Sequence, residues 1–304
     1  MNIVIVLGNG FDLDLGWDTS YESFYRKHKG WQMHKTEEDD LFQYVIKQVP
    51  GNWFDFERTL HEYALYRGKN PVTKDVIDRD IQDYNTFKSQ LASFITEGSK
   101  LPVKKDSHAY RLLEAYVGAK KRNHAIPSNL FSIKLFSYNY TPLLNVIRHI
   151  EPSLKISYIP VHGRVENNSI IFGFHDDLSI PKEYRMIQKS MDVNYKSSDI
   201  VTESLKADYL IFFGLSLGYI DGVYFKNLFE QISNFTNLQM INKHLVFITK
   251  DTDTEKNIKS NLLDMGINLQ LLYNSNIVNF IYTDDKQKKK TEDNFNVLIN
   301  HIYQ

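Results

Sequence analysis

Apolar and polar positions alternate along the chain in two distinct registers. Asn2 to Leu7 reads NIVIVL, a continuous run of β-branched and aliphatic residues of the kind that forms a strand buried on both faces of a parallel sheet. From about Ser20 to Arg122 the spacing becomes helical. Trp53, Phe56, Leu60, Tyr63 and Ala64 make one stripe, and Ile77, Ile81, Tyr84, Phe87, Leu91 and Phe94 make another, with a further helix expected over 107–121. Strand-like runs then return at Phe131 to Tyr138, Ile156 to Val161, Ile170 to Phe174, Tyr209 to Phe213, His244 to Thr249 and, more weakly, Ile277 to Tyr282. Helices are expected between and after them at 142–150, 197–206, 219–233, 254–265 and 291–303. Short apolar runs alternating with helices are the mark of βαβ units, so the pattern predicts an α/β fold. The expected architecture is a Rossmann-like, mostly parallel, doubly wound sheet over 1–304, with a helical insertion subdomain at 20–125 after the first strand. The insertion reads as a lid, although the same stripes would equally extend the core.

Composition narrows the function more than the fold. The chain has 304 residues, 42% hydrophobic and 24% charged, with a formal net charge of -1. That balance gives no field to hold a polyanion, so nucleic acid is not the expected partner. The basic run at 286–290 is bracketed by Asp284, Asp285, Glu292 and Asp293 and reads as a solvated loop. There is no cysteine, which removes disulfides, thiolate zinc sites and cysteine nucleophiles together. No apolar run approaches the roughly 20 residues that span a bilayer, and Ile3 to Leu7 is too short for a signal peptide. A cytoplasmic protein without membrane attachment is the expectation.

Four polar or glycine clusters each follow directly on a predicted strand: Gly8-Asn9-Gly10-Phe11-Asp12, Asn139-Tyr140-Thr141, His162-Gly163 and Gly214-Leu215-Ser216-Leu217. In open α/β sheets ligands bind beyond the carboxyl ends of the strands, where backbone N–H groups converge, so four clusters at four strand ends predict one site. Gly8 would permit a tight turn and Gly10 the close approach of a phosphate. Leu13 stands where a dinucleotide fingerprint has its third glycine, so a simple strand-to-helix turn remains an alternative. Asp12 could contact a ribose or cap the following helix. His162 is the candidate general base, since an imidazole with its ordinary pKa is largely able to take a proton near pH 7. Asn139 can orient a sugar hydroxyl or a water but cannot act as a base. Asp221 lies five residues beyond Ser216, at the start of the next helix. Glu57 and His61, at i and i+4, lack a third ligand, and no metal is expected.

Taken in order, these clusters resemble the bacterial abortive-infection family called AbiH, implicated in defence against bacteriophage. The resemblance rests on Leu7-Gly-Asn-Gly-Phe-Asp12 followed by Thr19-Ser-Tyr21, on Trp53-Phe-Asp-Phe-Glu57, on Tyr138-Asn-Tyr-Thr141, on Val161-His-Gly163 and on Phe213-Gly-Leu-Ser-Leu-Gly-Tyr-Ile-Asp221. That family in turn looks like a divergent relative of sirtuin-like NAD-binding domains, some of which hydrolyse NAD. The resemblance implies Gly8 and Gly10 as a phosphate turn, Asn139 beside the nicotinamide ribose, His162 as general base, and Gly214 and Ser216 on the adenosine side. Asn9, Phe11, Asp12, Tyr140, Thr141, Gly163, Leu217 and Asp221 complete the expected nucleotide site. Thr141 stands where sirtuins carry an aspartate that helps hold the carboxamide, and Leu215 replaces a histidine common in the AbiH pattern. The lack of cysteine excludes the zinc module of protein-deacylating sirtuins. The expectation is therefore a nucleotide N-glycosidase with NAD as its substrate, with a phage-derived trigger or partner protein and a homo-oligomer as the partners to look for. Two rivals stay open: a non-catalytic nucleotide-binding sensor, and a metal-dependent hydrolase acting at a phosphate.

Overall fold

The computed structural model describes residues 1–28, 40–47, 56–123, 127, 130–153, 158–195, 199–233 and 243–303, the side chains of 46 and 47 excepted. Trp53, expected at the head of a helical stripe, lies outside the described residues. Six strands form one sheet: β1 (Asn2–Leu7), β2 (Ser132–Ser137), β3 (Ile159–Pro160), β4 (Tyr209–Phe213), β5 (His244–Thr249) and β6 (Ile277–Tyr282). Their order is β3-β2-β1-β4-β5-β6 and every pairing is parallel. This is the strand order of the Rossmann doubly wound fold, in which the winding reverses between β1 and β4 and opens a crevice at their carboxyl ends.

Strand periodicity accounts for both faces. Ile3, Ile5 and Leu7 enter one apolar core with Ile133, Leu135, Ile211, Phe213, Val246 and Ile248, covered by α1 (Asn9–Leu15), α6 (His108–Arg122), α7 (Leu143–Ile150) and α12 (Glu292–Tyr303). Val4 and Val6 enter the other with Leu210, Phe212, Leu245 and Phe247, covered by α8 (Ile200–Lys206), α9 (Tyr219–Ile232), α10 (Thr252–Asp264) and α11 (Leu269–Ser275). α11 has no counterpart in the sequence pattern; Asn268 caps it by accepting a hydrogen bond from Leu271 N at 3.1 Å. The helices between β1 and β2 divide. α6 belongs to the sheet, capped by Ser107, which accepts from Tyr110 N. α2 (Tyr21–Lys27), α3 (Leu41–Lys47), α4 (Phe56–Lys69) and α5 (Lys74–Gly98) share a third core, built on Phe24, Phe56, Leu60, Phe87 and Phe94. No helix among the described residues is long and apolar enough to cross a membrane.

One expected strand is absent. Ile170 to Phe174 joins the sheet nowhere, and its single ladder-type contact is an isolated bridge from Phe174 to Gln188. Ile170, Phe172 and Phe174 instead fill the third core, with Phe172 stacked 6.0 Å from Tyr84 and 5.4 Å from Phe56. A short apolar run signals burial, and here a loop is what is buried. β3 is described over two residues, an edge strand containing Pro160, which has no N–H to donate; Ile156 and Ser157, expected to open it, lie outside the described residues.

Candidate functional site

At the reversal point the turns after β1 and β4 cross in direct contact. Gly8 N donates to Phe213 O at 2.8 Å and Gly10 N to Gly214 O at 2.9 Å. A Cβ on Gly10 would sit 2.6 Å from Gly214 Cα, so glycine is required for the two backbones to meet. This differs from the expected role of Gly10: its amide is engaged by protein. Phe11 points into the core, edge-on to Phe213 at 5.2 Å.

A cavity of about 120 Å³ opens beside this crossing. Gly8, Asn9 and Asp12 supply one wall, Tyr138, Asn139, Tyr140 and Thr141 the next, and His162, Leu215 and Asp221 the others. Four predicted clusters thus converge through these members. Thr19, Tyr21, Glu57 and Ile95 close the cavity from the helical segment. Gly163, with φ at +73°, turns the chain immediately after His162. Ser216 is exposed and accepts a hydrogen bond from Gly218 N, while Leu217 is buried in the second core; neither lines the cavity. Gly10 and Gly214 face a second, larger cavity of about 730 Å³ beyond β4, β5 and β6, where Lys104, Lys250 and Lys288 stand among Asp14, Asp106, Asp284 and Asp285.

The small cavity holds two polar networks. In the first, Asn139 Nδ2 donates to Gly8 O at 3.0 Å and to Asp12 Oδ1 at 2.9 Å, and Thr141 Oγ1 donates to the same oxygen at 3.2 Å. Both amide hydrogens of Asn139 are therefore committed, which leaves its Oδ1 as the acceptor for a ligand hydroxyl. Burial pushes the Asp12 carboxyl up to about 7, although Thr141, Asn139 and Thr19 partly offset it. With an ordinary value of 3.8 in the unfolded chain, the folded state holds this proton more tightly. The stability this gives is present at low pH and is lost as pH rises from about 4 to about 7, on the order of 4 kcal/mol. Asp12→Asn should accordingly melt above the parent protein at pH 8 and converge with it toward pH 4; melting curves across that range check the sign.

The second network centres on Lys189, fully buried and absent from any sequence expectation. Its Nζ donates to Glu57 Oε2 at 3.0 Å and to His162 Nε2 at 3.3 Å, and stands 3.6 Å from Asp221 Oδ1. Desolvation alone would lower the lysine, but the Glu57 and Asp221 carboxylates outweigh it and raise its pKa above the usual range. An ammonium only donates, so His162 Nε2 is the acceptor and the ring proton lies on Nδ1. Burial first, and the Lys189 charge second, hold His162 well below its ordinary pKa, against a hydrogen bond to the Tyr138 backbone. Glu57 also accepts from Tyr140 Oη at 3.1 Å. His61, expected to share a face with Glu57, pairs instead through Nε2 with Asp177 at 2.8 Å and meets Tyr219 Oη at 3.3 Å through Nδ1. Among the described residues no group of three or more His, Cys, Asp or Glu side chains could hold a metal ion.

One clue to the second network is visible in the sequence. Glu57 falls on the apolar stripe of its helix, beside Phe56 and Leu60, and a carboxylate on a buried face demands a partner. Lys189 has no such sign, because Gln188-Lys189-Ser190 reads as an exposed loop.

Fold and site together define a doubly wound α/β protein with a polar cavity at the topological switch point. A family model described as Bacteriophage abortive infection AbiH matches residues 4–242, and the chain belongs to that family. Membership places it among bacteriophage abortive-infection proteins. No curated protein matches the chain.

Proposed function

We propose that the protein acts in abortive infection as a nucleotide N-glycosidase that hydrolyses NAD to nicotinamide and ADP-ribose. The observation that carries this reading is the charge of the small cavity: three carboxyl side chains, Asp12, Glu57 and Asp221, line it, and Lys189 is the ammonium set against them. An excess of carboxyl groups in a partly enclosed site favours a ligand on which positive charge develops and disfavours a phosphate. Cleavage of a pyridinium nucleotide has that character. The C1′–N bond breaks with its electron pair going to the ring nitrogen, nicotinamide leaves neutral, and the ribosyl fragment becomes oxocarbenium-like; the same charge logic governs glycoside hydrolysis.

The residues take roles that fit their hydrogen bonds. Asn139 Oδ1 accepts from a ribose hydroxyl and orients the sugar, while Tyr138, Tyr140 and Leu215 exclude water from the reacting carbon. His162 stands beside the sugar as a neutral imidazole. The cavity takes one ring rather than a whole dinucleotide, and the larger cavity across the glycine crossing offers room for the remainder.

Purified protein, alone and with extract of phage-infected cells, should release nicotinamide and ADP-ribose from NAD in a chromatographic assay. Asn139→Ala and His162→Ala, which remove side chains that position the sugar, should each lower the rate about 10²-fold or more. Equal rates in the parent and both variants would refute the assignment. NAD binding by calorimetry with no turnover under any condition would favour the sensor reading instead.

A further inference from the structure

Asp12 was expected to cap a helix or touch a ribose, and its surroundings suggest a different use. It is buried on the wall of the small cavity, and the groups that hydrogen-bond its carboxyl are all neutral: Thr141, Asn139 and Thr19. The two oxygens are unequal. Oδ1 receives both Asn139 Nδ2 and Thr141 Oγ1. Oδ2 meets Thr19 Oγ1 at 3.4 Å, but that hydroxyl has one hydrogen, and Asn9 Oδ1 at 2.9 Å is better placed to take it. Oδ2 is thus a buried carboxyl oxygen with no committed donor, the atom on which a proton would reside. The charged and titratable groups that share its cavity are Glu57, Asp221, His162, Tyr21, Tyr138 and Tyr140, and Tyr158 stands ahead of β3. His162 is the poorer acceptor, because protonation would set an imidazolium 3.3 Å from the Lys189 ammonium.

We propose that Asp12, through Oδ2, is the catalytic residue that accepts the proton of the water attacking the ribosyl carbon, an inference that rests on the N-glycosidase reading. The water oxygen bonds to C1′ after the C1′–N bond has broken toward nicotinamide, one water proton passes to Asp12 Oδ2, and it then leaves to solvent. No oxidant, reductant or metal is needed. The carboxyl titrating at about 7 suits this task, since a base works best with a pKa near the working pH.

The test is Asp12→Asn, an isostere, assayed with NAD in the presence and absence of azide. Azide attacks without being deprotonated, so it bypasses a missing base. Hydrolysis should fall about 10²- to 10⁴-fold while the Kd for NAD stays within about threefold, and azide should restore nicotinamide release with formation of the ribosyl azide. The parent protein should lose rate below pH about 7 and gain nothing from azide. In parallel, the Asp12 carboxyl in the folded parent, followed by carbon-13 resonance and assigned by its loss in Asp12→Asn, should titrate near neutrality. Undiminished hydrolysis by the variant, loss of turnover without azide rescue while NAD still binds, or a carboxyl already ionised at pH 5 would overturn the role of Asp12 with the glycosidase reading intact. A parent protein that binds NAD and never releases nicotinamide would overturn both.

Discussion

Gly214→Ala should leave little stably folded protein. Gly214 has φ at +65°, and a Cβ there would lie 2.2 Å from Phe11 N and 2.4 Å from Gly10 Cα. The left-handed backbone alone costs an alanine about 1–2 kcal/mol. The clash adds to this, because the obstructing atoms are backbone and can move only if the turns after β1 and β4 separate, at the centre of the sheet. Several kcal/mol lost from a margin of roughly 5–15 kcal/mol should lower the melting temperature by on the order of 10 °C or more. Gly266→Ala is the matched control: φ is +85° but nothing lies within 4 Å of its Cβ position, so only the backbone term applies. Equal melting temperatures for the two variants would show that the crossing tolerates a side chain.

Lys189→Met is the second large effect. The substitution keeps the volume of the stem but leaves Glu57 and Asp221 facing each other without their cation. Breaking a buried pair by removing one partner costs about 3–5 kcal/mol, mostly through the charge left behind. Pairing it with Glu57→Gln should recover a large part of that loss, since one of the two carboxylates that lose the Lys189 cation disappears as well. Loss of the Lys189 cation removes a charge that favours the ionised form of Glu57 in the folded state, so the deficit of the single variant relative to the parent should narrow as pH falls and widen as pH rises. Denaturant unfolding at three pH values reads both effects; a deficit that stays constant with pH would mean that lost packing, not charge, is responsible.

These two sites show what the sequence discloses. NIVIVL and the other strand runs are legible because a strand covered on both faces must be apolar throughout, and residue alternation then sends Ile3, Ile5 and Leu7 to one core and Val4 and Val6 to the other. The clusters at the strand ends are legible for a related reason: a parallel sheet brings all its carboxyl ends to one edge, so Asp12, Asn139, His162 and Leu215 meet although they span some two hundred positions. Hydrogen-bond partners were not legible. Whether Gly10 meets a phosphate or another glycine depends on how closely two turns pass, a distance with no signature in residue type. Lys189 reaches Glu57 across 132 positions because the loop carrying it is pinned by Lys189 N donating to Phe174 O at 2.8 Å, and nothing local predicts that. The apolar run at 170–174 misleads for the same reason, since residue type discloses its burial and not its geometry.

The proposed function requires the nicotinamide-side ribose to occupy the small cavity between Asp12, Asn139 and His162. The most direct measurement is a crystal structure of the protein with carba-NAD, in which the glycosidic bond cannot be cleaved. The nicotinamide-side ring should lie within hydrogen-bonding distance of Asn139 Oδ1, with C1′ facing Asp12 and the remaining phosphates and adenosine extending into the larger cavity. An analogue bound with its nicotinamide end in the larger cavity, or a crystal at saturating analogue in which the small cavity holds only water, would contradict it.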